Sequence, residues 1–200
     1  MRLRAGTTIC IIFLAGALVV CTIPLLTANL ANAQEQAPEQ SQCDFMTGGG
    51  FIIHDGAHAN FGVAGGCKHG SPTWGHLEYI DHGTGLKVHW TSITAYINDK
   101  FVTGDPNLRV ICGTARTNQF GDVNFVVLAG GAGEPGVNDQ FDIRLKDQSG
   151  GVVYDTATEE CIPHYLGSSA PCSPGDGGGG KIQLHKPNPS FIGGGSCPAL

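Results

Sequence analysis

The chain has 200 residues, with 11 Lys and Arg against 17 Asp and Glu and a formal net charge of −6. That length suits one domain with short additions, and the acidic balance excludes a general nucleic-acid binder, which needs a basic face. Eight cysteines in so short a chain point to disulfides and an oxidising compartment.

Residues 1–33 read as a signal peptide. Arg2 and Arg4 give a positive start, an apolar run follows from Ile9 to Leu26, and Ala31-Asn32-Ala33 fits a small-x-small cleavage site before Gln34. The apolar run is long for a signal peptide, so the competing reading is an uncleaved anchor. The expected location is secreted or extracellular. No later apolar run is long enough to span a membrane, so no membrane span is expected after cleavage.

Residues 34–46 are rich in Gln, Glu, Pro and Ser and read as a flexible lead-in. From Thr47 to Pro187 the pattern is that of short strands. Phe51-Ile52-Ile53 and Ala57 to Val63 come first. The clearest hairpin follows. Leu77 and Tyr79 alternate with His76, Glu78 and Ile80, and Leu86, Val88 and Trp90 alternate with Lys87, His89 and Thr91. Gly83 and Gly85 suit a tight turn with positive φ. Pairing Asp81 with Leu86 sets Tyr79 against Val88, Leu77 against Trp90 and Glu78 against His89. Further strands are expected at Leu108 to Ala115, Phe120 to Leu128, Phe141 to Leu145, Gly151 to Thr156 and Lys181 to His185. Residues 159–180, with Cys161, Cys172 and four consecutive glycines, read as an inserted surface loop. Residues 188–200 read as a C-terminal tail. About nine short strands with turns between them, and no helical periodicity, predict an all-β fold: a single antiparallel β-sandwich or Greek-key barrel.

Cys10 and Cys21 lie within the first 33 residues, which leaves Cys43, Cys67, Cys112, Cys161, Cys172 and Cys197 for disulfides. Cys161 and Cys172 flank a short loop and are the first expected pair. Cys43 with Cys197, tying the two ends, and Cys67 with Cys112 complete the set. No Cys-x-x-Cys is present, so neither zinc-ribbon nor thioredoxin-type chemistry is expected.

Five pieces in order carry a family resemblance. They are Thr47-Gly-Gly-Gly50 with Phe51-Ile52; Gly75 to His89 around Glu-Tyr-Ile-Asp-His; and Gly113-Thr-Ala-Arg-Thr-Asn118 with Gly121-Asp-Val. The last two are Gly133-Glu-Pro-Gly136 with Asn138-Asp139 and Phe141-Asp-Ile143, and Gly179-Gly-Lys-Ile-Gln-Leu-His-Lys-Pro187. Over about Thr47 to Pro187 the chain resembles the post-COAP-1 domain of exported bacterial proteins. The resemblance implies an all-β extracellular module and carries over no activity, cofactor or catalytic residue. The chain departs from the family pattern at Glu159 to Gly178.

Three constellations could carry chemistry. His76, Glu78 and His89 share one face of the hairpin and are the residue types that bind zinc or copper, although a polar outer face with a Glu–His cross-strand pair is the simpler account of them. Glu134, Asn138 and Asp139 could offer calcium its oxygens, although Asn and Asp serve turns in the same way. Among the aromatics Phe45, Phe51, Phe61, Trp74, Tyr154 and Tyr165, Trp74 stands in a Ser-Pro-Thr-Trp-Gly loop and could stack on a sugar ring. The chain lacks Gly-x-Ser-x-Gly, His-Glu-x-x-His, a phosphate loop and a dinucleotide fingerprint. The expectation is therefore a binding module without catalysis, whose partner is a glycan, a matrix component or a protein. The alternative is a metal-binding protein or hydrolase that uses the His/Glu face.

Overall fold

The computed structural model describes residues 42–68, 73–98, 104–157, 163–170, 172–175, 179–192, 194–195 and 197. Among them there is no α-helix, and no helix long and apolar enough to cross a membrane. The expected signal peptide, residues 1–33, lies outside the described residues.

Alternation and turn chemistry decide the strands. β1 (Gln42–His54) and β2 (Ala57–Gly66) pair antiparallel down to His54 opposite Ala57. Asp55 and Gly56, with φ of 48° and 77°, make the two-residue turn between them, as an Asp-Gly pair does in a tight hairpin. β3 (Trp74–Asp81) pairs with β2 on one side and β4 (Lys87–Asn98) on the other. β5 (Leu108–Thr117), β6 (Gly121–Gly130), β7 (Gln140–Lys146) and β8 (Val152–Asp155) continue the meander. The two-residue β9 (His164–Tyr165) pairs with β7 beside β8's end of the sheet. β10 (Gly180–Ile192) returns to pair with β1, and β11 (Gly194–Gly195) pairs with Ala95 and Tyr96 of β4. The result is one antiparallel sheet in the order β10-β1-β2-β3-β4-β5-β6-β7-β8, with β9 and β11 off that path.

The hairpin β3–β4 has the register that its alternation predicts. Tyr79 opposes Val88, Glu78 opposes His89, and the Asp81 amide donates to the Leu86 carbonyl at 3.0 Å. Of the two turn glycines only Gly85 has positive φ, at 73°. The β3–β4 ladder stops at Glu78–His89. The remaining edge of β4 is instead taken by β11.

The sheet bends so that the inner side chains of β2 and β3 meet those of β7 and β8. Phe61 stacks on Phe141 with ring centroids 3.9 Å apart, and Tyr79 lies beside both Phe141 and Tyr154. Leu77, Tyr79, Ile111, Phe125, Ile143 and Leu145 are fully buried in this core. At roughly 1.5–3 kcal/mol for each fully buried large apolar side chain, this burial is the main stabilising term. A smaller cluster of Ala95, Val110, Cys112 and Val126, with Cys197 packed against it, is buried separately.

Several expectations are corrected. The flexible lead-in to residue 46 is too long, because β1 already begins at Gln42 and Met46 is fully buried. Where it is described, the tail 188–200 is largely strand: β10 runs to Ile192 and β11 spans Gly194–Gly195. The stretch 159–180 is not a surface insertion where it is described. Leu166 is buried, the Gly167 amide donates to the Phe51 carbonyl, and the Gly175 amide donates to the Val137 carbonyl. Gly179 lies against Gly167, and Gly180 against Gly49 and Gly50, so closely that a Cβ at either would collide with backbone.

The disulfides also differ. Cys43 bonds Cys67 and Cys112 bonds Cys197, so neither Cys43–Cys197 nor Cys67–Cys112 forms. The register decides this: β1 and β2 run side by side, with Phe45 opposite Gly66, which brings Cys43 to Cys67 just past the β2 end. Cys172 is disulfide-bonded; Cys161, its expected partner, lies outside the described residues.

Candidate functional site

The candidate site is the outer face of β3, β4 and β5. Side chains in direct register across an antiparallel sheet point to the same side. One row therefore runs Glu78, His89, Arg116 and Asp122 across β3 to β6. The neighbouring row sets Ile80 beside Lys87. The Asn118 side chain fixes the rim: its Oδ1 accepts the Lys87 amide at 2.7 Å and its Nδ2 donates to the Gly85 carbonyl at 3.0 Å. Glu78, Ile80, Lys87, His89, Arg116 and Asn118, with Thr91 and Thr117, line a shallow trough of about 440 Å³. Its floor is rigid, because Tyr79 and Val88 beneath it belong to the buried core.

Charge in the trough is unevenly paired. His89 Nδ1 contacts Glu78 Oε1. Arg116 Nε lies 3.4 Å from Asp122 Oδ1 with both side chains well exposed, an arrangement that contributes little in water. Lys87 Nζ has no ion pair among the described residues. Ile80 adds an exposed apolar surface, 39% accessible.

The three-residue metal site is not assembled. His76 lies on the same strand and face as Glu78, but it opposes Ala64 of β2, and β4 has left β3 by that point. Among the described residues no three His, Cys, Asp or Glu side chains are grouped to hold a metal ion. A zinc or copper site on His76, Glu78 and His89 therefore lacks its third ligand.

The calcium set is likewise spoken for. Asp139 is fully buried, and its carboxylate accepts the Ala132 amide at Oδ1 and the Ile182 amide at Oδ2, both at 2.7 Å. Burial pushes its pKa above the usual carboxylate range. Glu134 instead contacts Lys181 on the surface. Asp139 thus ties the β6–β7 loop to β10, and Glu134, Asn138 and Asp139 do not converge on an ion.

Trp74 opens β3 and does not sit in a loop. It meets Phe45 edge-on at 6.0 Å, and Lys68 Nζ lies 4.7 Å from the Trp74 ring centroid and 5.5 Å from that of Phe45. Phe45 stacks on His185 at 4.2 Å. The indole face is therefore engaged by the chain's own ammonium group, a favourable cation–π contact.

Two polar clusters escaped the sequence reading. In the first, Tyr79 Oη–H donates to Tyr154 Oη at 2.7 Å, and Tyr154 donates to Asp81 Oδ2 at 3.1 Å. Burial raises the pKa of both phenols, and the neighbouring Asp81 adds to the effect. Burial would raise Asp81 also, but bonds from the Thr84 hydroxyl, the Gly83 amide and Tyr154 outweigh it and hold the carboxyl below its usual range. In the second, Asp142 Oδ1 accepts from His164 Nδ1 at 2.7 Å and from the Thr156 hydroxyl at 2.6 Å, while Oδ2 accepts the His164 amide at 2.8 Å. His164 and Asp142 are 2% exposed and Thr156 is fully buried, so this cluster is closed to solvent. Neither Asp142 nor His164 is singled out by the sequence: alternation along β7 sets Asp142 opposite in facing to Phe141 and Ile143, yet it is buried.

Comparison with known proteins finds no matching family model, no matching curated protein and no matching solved structure.

Proposed function

We propose that the chain is an exported module of the post-COAP-1 type that acts by binding a glycan along the β3–β5 trough, without catalysis. The observation that supports this reading is the trough itself: a concave strip with hydrogen-bonding and apolar groups, carried on three paired strands over a packed core. Ligand sites of this kind combine apolar contact with a few fixed polar groups, and sheets present them with little cost in ordering. Export is supported by the N-terminal apolar run with its Ala-x-Ala site and by the disulfides. A sandwich-like closure of the sheet is supported by the packing of β2 on β7 and of β3 on β8. The trough would then lie on the convex outer wall.

The test is a backbone NMR titration of the protein with a panel of soluble oligosaccharides. The expected result is that at least one sugar shifts the amides of Ile80, Lys87, His89 and Arg116 while those of β7 and β8 stay in place. If no sugar moves these amides, the reading is wrong.

A further inference from the structure

We infer that the ligand of this trough is an acidic glycan, a chain of uronic-acid or sulfated sugars; this rests on the trough being the binding surface. The argument starts from the charge of the chain. The protein is acidic, with a net charge of −6, but its carboxylates are largely committed elsewhere. Asp44 holds Arg109, Asp142 holds His164, Asp139 holds two backbone amides, and Asp81 holds its own turn. Asp105 and Asp147 likewise cap backbone amides in loops. The trough is lined by two cations, Lys87 and Arg116, against one carboxylate, Glu78. Its Glu78 is engaged by His89, while Lys87 has no ion pair among the described residues and Arg116 has only the long, exposed contact with Asp122.

The placement of the two cations matters as much as their number. Arg116 opposes His89, and Lys87 precedes His89 by two residues on the same face. Such diagonal neighbours on a sheet are about 7–8 Å apart. Two anionic groups on one extended ligand can therefore be met at once. Lys87 also stands directly opposite Ile80. An apolar side chain beside an ammonium group fits a ring that has a C–H face and a carboxylate or sulfate at its edge. A neutral sugar would leave Lys87 without an ion pair and Arg116 with only its exposed contact to Asp122. Thr117 lies on the wall of the same trough. Ion pairs formed in such an exposed strip are screened by salt, which gives the inference a signature.

The experiment compares soluble oligogalacturonate, a neutral galactan oligomer of equal length and a single-stranded oligodeoxynucleotide of similar charge, each titrated into the full protein at 50 and 500 mM NaCl. The expected result is binding of oligogalacturonate that weakens at least fivefold at the higher salt. It should weaken at least fivefold again in Lys87→Gln and in Arg116→Gln, and stay unchanged in Lys146→Gln on β7. Circular dichroism and melting of the two trough variants should match the parent, because both side chains are exposed. Equal affinity for the neutral galactan, with shifts at Ile80 and His89, would overturn the acidic-ligand inference and leave the trough as the binding surface. Equal or tighter binding of the oligonucleotide would replace the sugar with a polyanion in general. No binding of any probe would overturn both readings.

Discussion

Arg109 Nη2 lies 2.5 Å from Asp44 Oδ2, with the two side chains 3% and 10% exposed. The Tyr96 hydroxyl donates to the other carboxylate oxygen at 2.6 Å, and Arg109 Nε donates to it at 3.1 Å. Three strands, β1, β4 and β5, thus meet at one carboxylate inside the fold. Attraction within a buried pair is offset by the cost of desolvating both ions, so the pair is worth most when one partner is taken away. Asp44→Ala is expected to lose about 3–5 kcal/mol of unfolding free energy in urea, since it leaves the guanidinium buried and unpaired. Asp44→Leu combined with Arg109→Met should recover a large part of that loss. Equal destabilisation of the single and double variants would show that the charge itself is not what Asp44→Ala leaves unsatisfied.

Asp81 should govern part of the acid limb of stability. Its folded pKa lies below the unfolded value. Its contribution is therefore complete above the unfolded carboxylate range, about pH 4, and is lost as pH falls through the folded value. Urea unfolding between pH 2 and 7 should show a shallower acid decline in Asp81→Asn than in the parent, with the two curves closing toward each other at the lowest pH. Parallel curves would remove Asp81 as a contributor.

The two defined disulfides close loops of different length, with sequence separations of 24 and 85. On the chain-entropy model they restrict the unfolded chain by about 3.5 and about 4.5 kcal/mol. Cys112→Ser with Cys197→Ser is expected to be the more destabilising pair, and to expose Val110 and Val126 of the small cluster that Cys197 helps cover. Urea midpoints and binding of an apolar dye would check this. Greater damage from Cys43→Ser with Cys67→Ser would mean that packing outweighs loop entropy.

Asp142 holds β9 in place. Asp142→Ala removes the acceptor for the His164 ring, the His164 amide and the Thr156 hydroxyl together, and a buried group left unsatisfied costs about 1–3 kcal/mol. The expected loss is about 3 kcal/mol, with faster hydrogen exchange at Leu166 and Gly167, whose amides bond Asp139 and Phe51. Unchanged exchange at those two amides would separate Asp142 from the anchoring of this segment.

What could be read in the sequence was what local rules govern. The β3–β4 hairpin follows from strict alternation and its turn, and the pairing of Glu78 with His89 came out as the spacing required. The shared face of Lys87 and His89 was legible for the same reason. Arg116 was not, because its place beside His89 depends on the β4–β5 register, which shifts between Trp90 and Ser92 and again between Ile93 and Ala95. The expected Cys43–Cys197 and Cys67–Cys112 pairs failed likewise: pairing the chain ends is a sensible guess, but these cysteines follow the strand pairing. The 159–180 stretch was misread because its glycines look like a loop. Gly175, Gly179 and Gly180 serve instead to let backbone approach backbone, and the stretch's anchors, Asp139 and Asp142, lie far back in the chain. His76 shows the limit of face arguments, since sharing a face with Glu78 does not bring it within reach of His89.

The return of β10 to β1 and of β11 to β4 sets the order in which this fold can be completed. β1 is made before the other strands, yet the Gln42 to Gly50 part of one edge of that 13-residue strand has no partner until residues beyond 179 exist. The same is true of the β4 edge at Ala95 and Tyr96. A nascent chain stopped anywhere before β10 carries two open sheet edges, the kind of surface that recruits other strands. By topology these two edges can close only once the chain beyond residue 179 has been made. A chain kept extended until it is fully synthesised avoids that hazard, and one allowed to fold as it emerges meets it.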